Sequence, residues 1–144
     1  MPARARRDVV PKGEVAVFHV WNRCVQAAYL CGVDPVTGID YEHRRDWVEQ
    51  MERILAGLFA VDVGFHAEMG NHIHLIVRTR PDVAQQWEDR EVVRRWLVIS
   101  KLKRNGADRI VEPSEAQMNR ELKRPGRVAE LRRRVGMVFQ APNP

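Results

Sequence analysis

The sequence predicts an α+β domain in which an antiparallel sheet and one long helix come first and short helices follow. Three observations predict it. Residues 14–24 and two later segments combine β-branched and aromatic residues with strand-like patterning. Between Trp47 and Leu58, apolar residues recur at helical spacing. Beyond Pro81 the pattern turns helical and increasingly basic. A chain of 144 residues, 44% of them hydrophobic, supports a single core and hence one domain over 1–144. Within it the sheet and helix occupy 14–100, and a basic helical extension occupies 101–144.

The first strand is expected over residues 14–24, in "EVAVFHVWNRCV". "CGVDPVTGID" follows as a turn-rich loop, and Asp40 is placed to cap the next helix, because its carboxylate can accept from backbone N–H groups one turn on. Trp47, Val48, Met51, Ile54, Leu55 and Leu58 form the apolar stripe of that helix. Gly57 and the switch to "LFAVDVGFHAEM" introduce the second strand. Gly70-Asn71 then supplies a tight turn of the kind that joins antiparallel neighbours, and "HIHLIVRTR" returns as the third strand. Asn71 suits that turn by tolerating a left-handed backbone.

In "WEDREVVRRWLVI", Asp89 is a helix cap, Val92, Val93, Trp96 and Leu97 share one face, and Arg90, Arg94 and Arg95 turn to the other. "SEAQMNRELKR" and "GRVAELRRRV" are two further helices with narrower apolar stripes, separated by Pro125-Gly126. The closing "GMVFQAPNP" has no period and two prolines and is expected to fray. The four tryptophans, Trp21, Trp47, Trp87 and Trp96, are expected to anchor packing, with Trp47 and Trp96 on apolar helix faces.

The formal net charge is +5, with the positive charge concentrated in the N-terminal arm and the C-terminal third, which favours a polyanionic partner, nucleic acid first. Candidate phosphate contacts are Arg94, Arg95, Lys101, Lys103, Arg104 and Arg124; the ordinary role of any such side chain is a solvated helix face. No apolar run approaches the roughly 18–20 residues a membrane helix needs, and the first residues lack an apolar signal-type segment. A cytoplasmic protein without a membrane partner is expected. Cys24 and Cys31 match neither a zinc ribbon nor a disulfide framework and read as reduced thiols.

His72 and His74 stand out. Alternate strand residues share a face, so both imidazoles point the same way with Ile73 turned from them. Two imidazoles on a strand that ought to be central need partners. One solution is a divalent metal, held by neutral ring nitrogens with positions left open for a Lewis-acid role. The other is a backbone carbonyl for one ring and solvent for its neighbour. A third ligand would come from Glu68, His66 or a glutamine of the later helices. Strand parity makes His66 and Glu68 one set, and a solvent-facing Glu68 is the plainer alternative. His19 is expected to be a strand-face residue bonded to its neighbours.

Taken in order and spacing, "FHVWNR", "YEHRRDWVEQMERIL" and "FHAEMGNHIHLIVRTRPD" resemble the REP-associated tyrosine transposase branch of the HUH endonucleases, over about residues 14–100. The most specific element is Met69, Asn71, His72, Ile73 and His74, and "WEDREVVRRWL" resembles a segment that follows this block in some transposase-like proteins. The resemblance implies a ferredoxin-like antiparallel sheet with the His-hydrophobic-His strand central. It also implies a divalent ion, Mg or Mn, held by His72 and His74 as catalytic residues against single-stranded or hairpin DNA. A tyrosine from a later helix would attack, leaving a 5′-phosphotyrosine. The only tyrosines, Tyr29 and Tyr41, precede the histidines, and no fourth strand is visible. The nucleophile is therefore unknown, and the chain is expected to stop short of it, as a truncated enzyme or a DNA-binding remnant. An unfinished sheet edge would favour a homodimer.

Overall fold

The computed structural model describes residues 13–24, 28–105 and 110–136, with 103–105 described by their backbone alone. Its elements are β1 (Val17–Arg23), α1 (Arg44–Leu58), β2 (Val61–Glu68), β3 (His72–Thr79), α2 (Pro81–Gln86), α3 (Asp89–Asn105), α4 (Glu115–Leu122) and α5 (Arg127–Val135). The protein is α+β. A three-stranded antiparallel sheet in the order β1-β3-β2 is followed by helices, consistent with an incomplete ferredoxin-like sheet. The strand carrying His72 and His74 is central, as expected. The basic N-terminal arm, the closing segment after Gly136 that is expected to fray, and the side chains of Lys103 and Arg104 lie outside the described residues.

The β2–β3 hairpin closes where Gly70-Asn71 predicts it, with Met69 N donating to His72 O at 2.8 Å. Gly70 lies close under the Tyr29 ring: a Cβ there would stand 3.3 Å from Cε1 of Tyr29, so the ring would have to give by a few tenths of an ångström. The register has one irregularity. Val61 and Val63 oppose Thr79 and Val77, but Phe65, His66, Ala67 and Glu68 oppose Ile76, Leu75, His74 and Ile73, so a bulge at Gly64 shifts the pairing by one. Opposed residues share a face. Val61 and Val63 therefore turn with the buried Val77 and Thr79, Phe65 and Ala67 turn with His74, and His66 and Glu68 turn back towards α1.

Three helix expectations need correction. Asp40 does not cap α1: its Oδ1 accepts from Glu42 N in a turn ahead of the helix, whose N-cap position is His43 without a side-chain cap bond. No helix is expected between β3 and Asp89, yet Pro81 opens α2, its ring in the first turn, where the absent N–H costs nothing. Trp47 is 46% exposed. The first turn of α1 leaves it outside the stripe, while Val48 and Leu58 are buried.

The main core lies in the helical half. Val92, Val93, Val98, Ile99 and Leu102 of α3 pack with Met118 of α4, Leu131 and Val135 of α5, and Leu58 and Phe59 at the end of α1, with Trp87, Trp96 and Leu97 partly buried against them. Ser114 caps α4 in a reciprocal capping box with Gln117, which satisfies two otherwise orphan N–H groups. Ala60 N donates to Val135 O at 2.9 Å and ties the start of β2 to the end of α5.

Candidate metal and nucleic-acid site on the open face of the sheet

Antiparallel register places Arg23 opposite His72, Trp21 opposite His74 and His19 opposite Ile76, so these side chains share the sheet face turned away from α1. His19, Trp21, Arg23, His72 and His74 line one shallow pocket there. The face is exposed: Trp21 is 61% accessible and Phe65 58%. The expectation of Trp21 as a packing anchor is corrected by this exposure, which leaves its ring available for stacking.

The two imidazoles lie 4.9 Å apart between centroids, nearly perpendicular, and each has its Nδ1 engaged. His72 Nδ1 stands 2.7 Å from Asn71 Oδ1, and His74 Nδ1 stands 2.8 Å from His19 Nε2, the latter two rings being stacked at 5.0 Å. An amide oxygen only accepts, so His72 donates through Nδ1–H and keeps its lone pair on Nε2. If His74 donates to His19 in the same sense, Nε2 is again its free acceptor. Fixing one ring nitrogen so that the other can bind is the usual arrangement behind a metal-ligating histidine. Asn71 and His19 thus orient the pair: Asn71 is expected only to serve the turn, whereas His19 is the strand-face residue bonded to a neighbour that was expected, the neighbour being His74 on the adjacent strand.

The expected third ligands lie elsewhere. Glu68 and His66 face α1 on the opposite side of the sheet, because they oppose Ile73 and Leu75 rather than the histidines. Nor is Glu68 solvent-facing, since its side chain is 6% exposed. His66 Nδ1 lies 2.7 Å from Glu68 Oε1 and 3.4 Å from Oε2 of Glu52 on α1. Burial, and then the adjacent Glu68 carboxylate, push the Glu52 carboxyl up to about 7. The hydrogen bond to Glu68 raises the His66 imidazole above its ordinary value. Burial works to raise Glu68, but the bond from His66 and the charges of His66 and Arg45 outweigh it and hold the carboxyl low. Among the described residues, this trio alone gathers three His, Cys or carboxylate ligand atoms within 4.8 Å of one another.

The candidate phosphate contacts fall into two groups. Arg94 donates to Glu112 through Nε (2.9 Å) and Nη2 (2.6 Å), and Lys101 Nζ donates to the Glu112 carbonyl at 3.0 Å. Arg95 donates to Glu91 at 2.6 Å and to the Gly57 carbonyl at 2.6 Å, with its guanidinium 3.9 Å over the Trp87 ring. That arginine binds the C-terminal carbonyls of α1 and ties α1 to α3. Arg90 pairs with Glu115, and Arg132 with Asp89, so Asp89 holds a distant arginine at the start of α3. Arg124 keeps only Glu121, at 3.3 Å, and is 59% exposed. Among the described residues of α4, α5 and their link, Arg120, Lys123 and Arg133 are exposed and carry no ion pair.

Neither tyrosine lines the histidine pocket. Tyr29 packs its ring against Gly70 at the hairpin turn, and Tyr41 lies under the Arg44 guanidinium at 4.1 Å. Among the described residues, no helix is long and apolar enough to cross a membrane. No family model, curated protein or solved structure matches the chain.

Proposed function

We propose that this protein holds a divalent metal against single-stranded or hairpin DNA, as the metal-site part of an HUH-type DNA-processing protein resembling the REP-associated tyrosine transposases. The observation that carries the reading is the pair His72 and His74 on the central strand, each with Nδ1 engaged by a neighbouring side chain, in a pocket walled by Trp21 and Arg23. Two imidazoles with no carboxylate in the pocket lining suit Mn better than the harder Mg; phosphate and water oxygens would complete either shell. The ion would supply Lewis-acid polarisation of a phosphoryl oxygen. The chain's own contributions are distinct: Asn71 and His19 hold the rings, Arg23 offers charge to a phosphate, and exposed Trp21 and Phe65 offer stacking surfaces to unpaired bases. The tyrosine nucleophile that the resemblance implies is assigned to neither Tyr29 nor Tyr41. A second chain would find β1 as an edge, since β1 pairs only with β3 among the described strands.

The test is binding and cleavage of a labelled hairpin with a single-stranded flank, measured with and without Mn. Wild-type protein is expected to gain affinity with Mn, and the paired change His72→Ala, His74→Ala is expected to remove that gain while leaving salt-dependent binding in place. Identical behaviour of the two proteins at every Mn concentration sinks the proposal. A second reading, a nucleic-acid grip without chemistry through the helical half, has its support in the unpaired Arg120, Lys123 and Arg133. It predicts metal-indifferent binding that is lost when those three are neutralised.

A further inference from the structure

The face of the sheet opposite His72 and His74 has a charge problem of its own. Glu52 comes from α1, while His66 and Glu68 come from β2 two residues apart, and the three meet where the helix covers the strand. Glu68 is almost wholly buried, and Glu52 is 14% exposed. Arg45 relieves Glu68 only through its field: it gives its charge-paired bonds to the Glu42 carboxylate and reaches Glu68 by hydrogen bond only at the backbone carbonyl. Glu49 adds a further negative field, and its own partner is Arg53. One imidazole thus serves two carboxylates. The consequence is visible at Glu52 Oε1, which is sealed from solvent and has no hydrogen-bond partner. An acceptor left so is costly, the more so when charged.

We propose that Glu52, His66 and Glu68 form a binding site for a divalent transition metal of the Zn type, bracing α1 against β2. A tetrahedral ion with bonds of about 2.0–2.2 Å sets its ligands about 3.4 Å apart. The Glu52 Oε2 to His66 Nδ1 separation is 3.4 Å already, and the 2.7 Å between His66 Nδ1 and Glu68 Oε1 has only to relax from a hydrogen bond to a ligand edge. Two carboxylates and one imidazole give Zn the mixed O and N donors it accepts and leave a fourth position for water, which enters beside His66, whose side chain is 45% exposed. Coordination places a cationic charge between the two carboxylates, and a Glu52 that binds through both oxygens would give the sealed Oε1 the partner it lacks. This site is separate from the one proposed above: it lies on the other face and shares no ligand with it.

The experiment uses the full chain, stripped with EDTA and titrated with Co as a spectroscopic probe and with Zn by calorimetry and thermal melting. In the background His72→Ala, His74→Ala, which removes the other ligand set, the protein is expected to bind one equivalent of Zn and to melt at higher temperature with it. Adding Glu52→Gln should weaken that binding by ~100-fold or more without loss of fold, because the neutral amide relieves the buried charge. Should the histidine double variant fail to fold, Glu52→Gln in the otherwise unaltered chain must abolish one equivalent of uptake. The proposal is overturned if the double variant takes up no Zn, or if Glu52→Gln leaves affinity unchanged because the trio merely shares a proton. Neither result bears on Mn and the DNA-facing histidines.

Discussion

Glu52→Gln in metal-free protein should raise stability at alkaline pH and flatten its pH dependence. The folded protein keeps the Glu52 proton to about pH 7, whereas an unfolded carboxyl releases it near 4.5. Between those values the folded state binds more protons, so stability falls as pH rises, and the loss is complete above about 7. His66 acts in the same direction: its folded value is raised, so its contribution is full below about 6.5 and disappears as pH climbs through that raised value. Glu68 is depressed and acts oppositely, its contribution being lost on acidification. The interval from 4.5 to about 7 bounds the Glu52 effect at about 3 kcal/mol. Water reaches the cluster beside half-exposed His66, and that screening reduces the expected gain to ~1–2 kcal/mol. The assay is urea unfolding from pH 4.5 to 8.5 with EDTA present. The variant should match wild type at the acid end and exceed it at pH 8. A variant less stable than wild type at pH 8, or one with an unchanged slope between pH 5 and 7, refutes the assignment of a strained carboxylate.

Three further outcomes follow from the contacts. Asn71→Ala removes the acceptor that fixes the His72 tautomer and should weaken the Mn-dependent part of DNA binding ~10- to 100-fold, while circular dichroism and melting stay near wild type. Trp21→Ala should cost ~1–3 kcal/mol in single-strand affinity by fluorescence titration but little stability, because the ring is exposed; loss of stability without loss of affinity would make Trp21 a packing residue after all. Arg95→Ala should destabilise by ~2–3 kcal/mol in chemical denaturation, through the Glu91 pair, the Gly57 carbonyl and the Trp87 stack together, with DNA affinity unmoved.

What was legible in the sequence was whatever local pattern decides. The α1 stripe, the three strands and the two-residue hairpin turn each announce themselves within a dozen residues, and parity alone puts His72 and His74 on one face. Local signals misled where one residue type has two uses. Asp40 serves the turn ahead of α1 instead of the helix itself, and the short helix that Pro81 opens has no apolar period to announce it. The partners of the arginines were beyond reach because they lie far along the chain: Arg94 meets a carboxylate 18 residues on, and Arg132 one 43 residues back. Charge counting therefore overstated the free positive surface of the helices. The same holds for the candidate site. His19 reaches His74 across 55 residues of chain, and only the strand order β1-β3-β2 brings them together.

The bulge at Gly64 divides β2 into two halves that keep opposite conventions for inside and outside. Without the extra residue, Phe65 would follow Val63 in unbroken alternation, and Val61, Val63, His66 and Glu68 would all stay on the α1 face. Taking Gly64 into the ladder instead would turn His66 and Glu68 round beside His72 and His74, or else turn the two valines out to solvent. The bulge is thus a phase correction: an insertion or deletion in β2 that it does not absorb would move every residue on one side of it to the other face, a larger change than substitution of any one histidine.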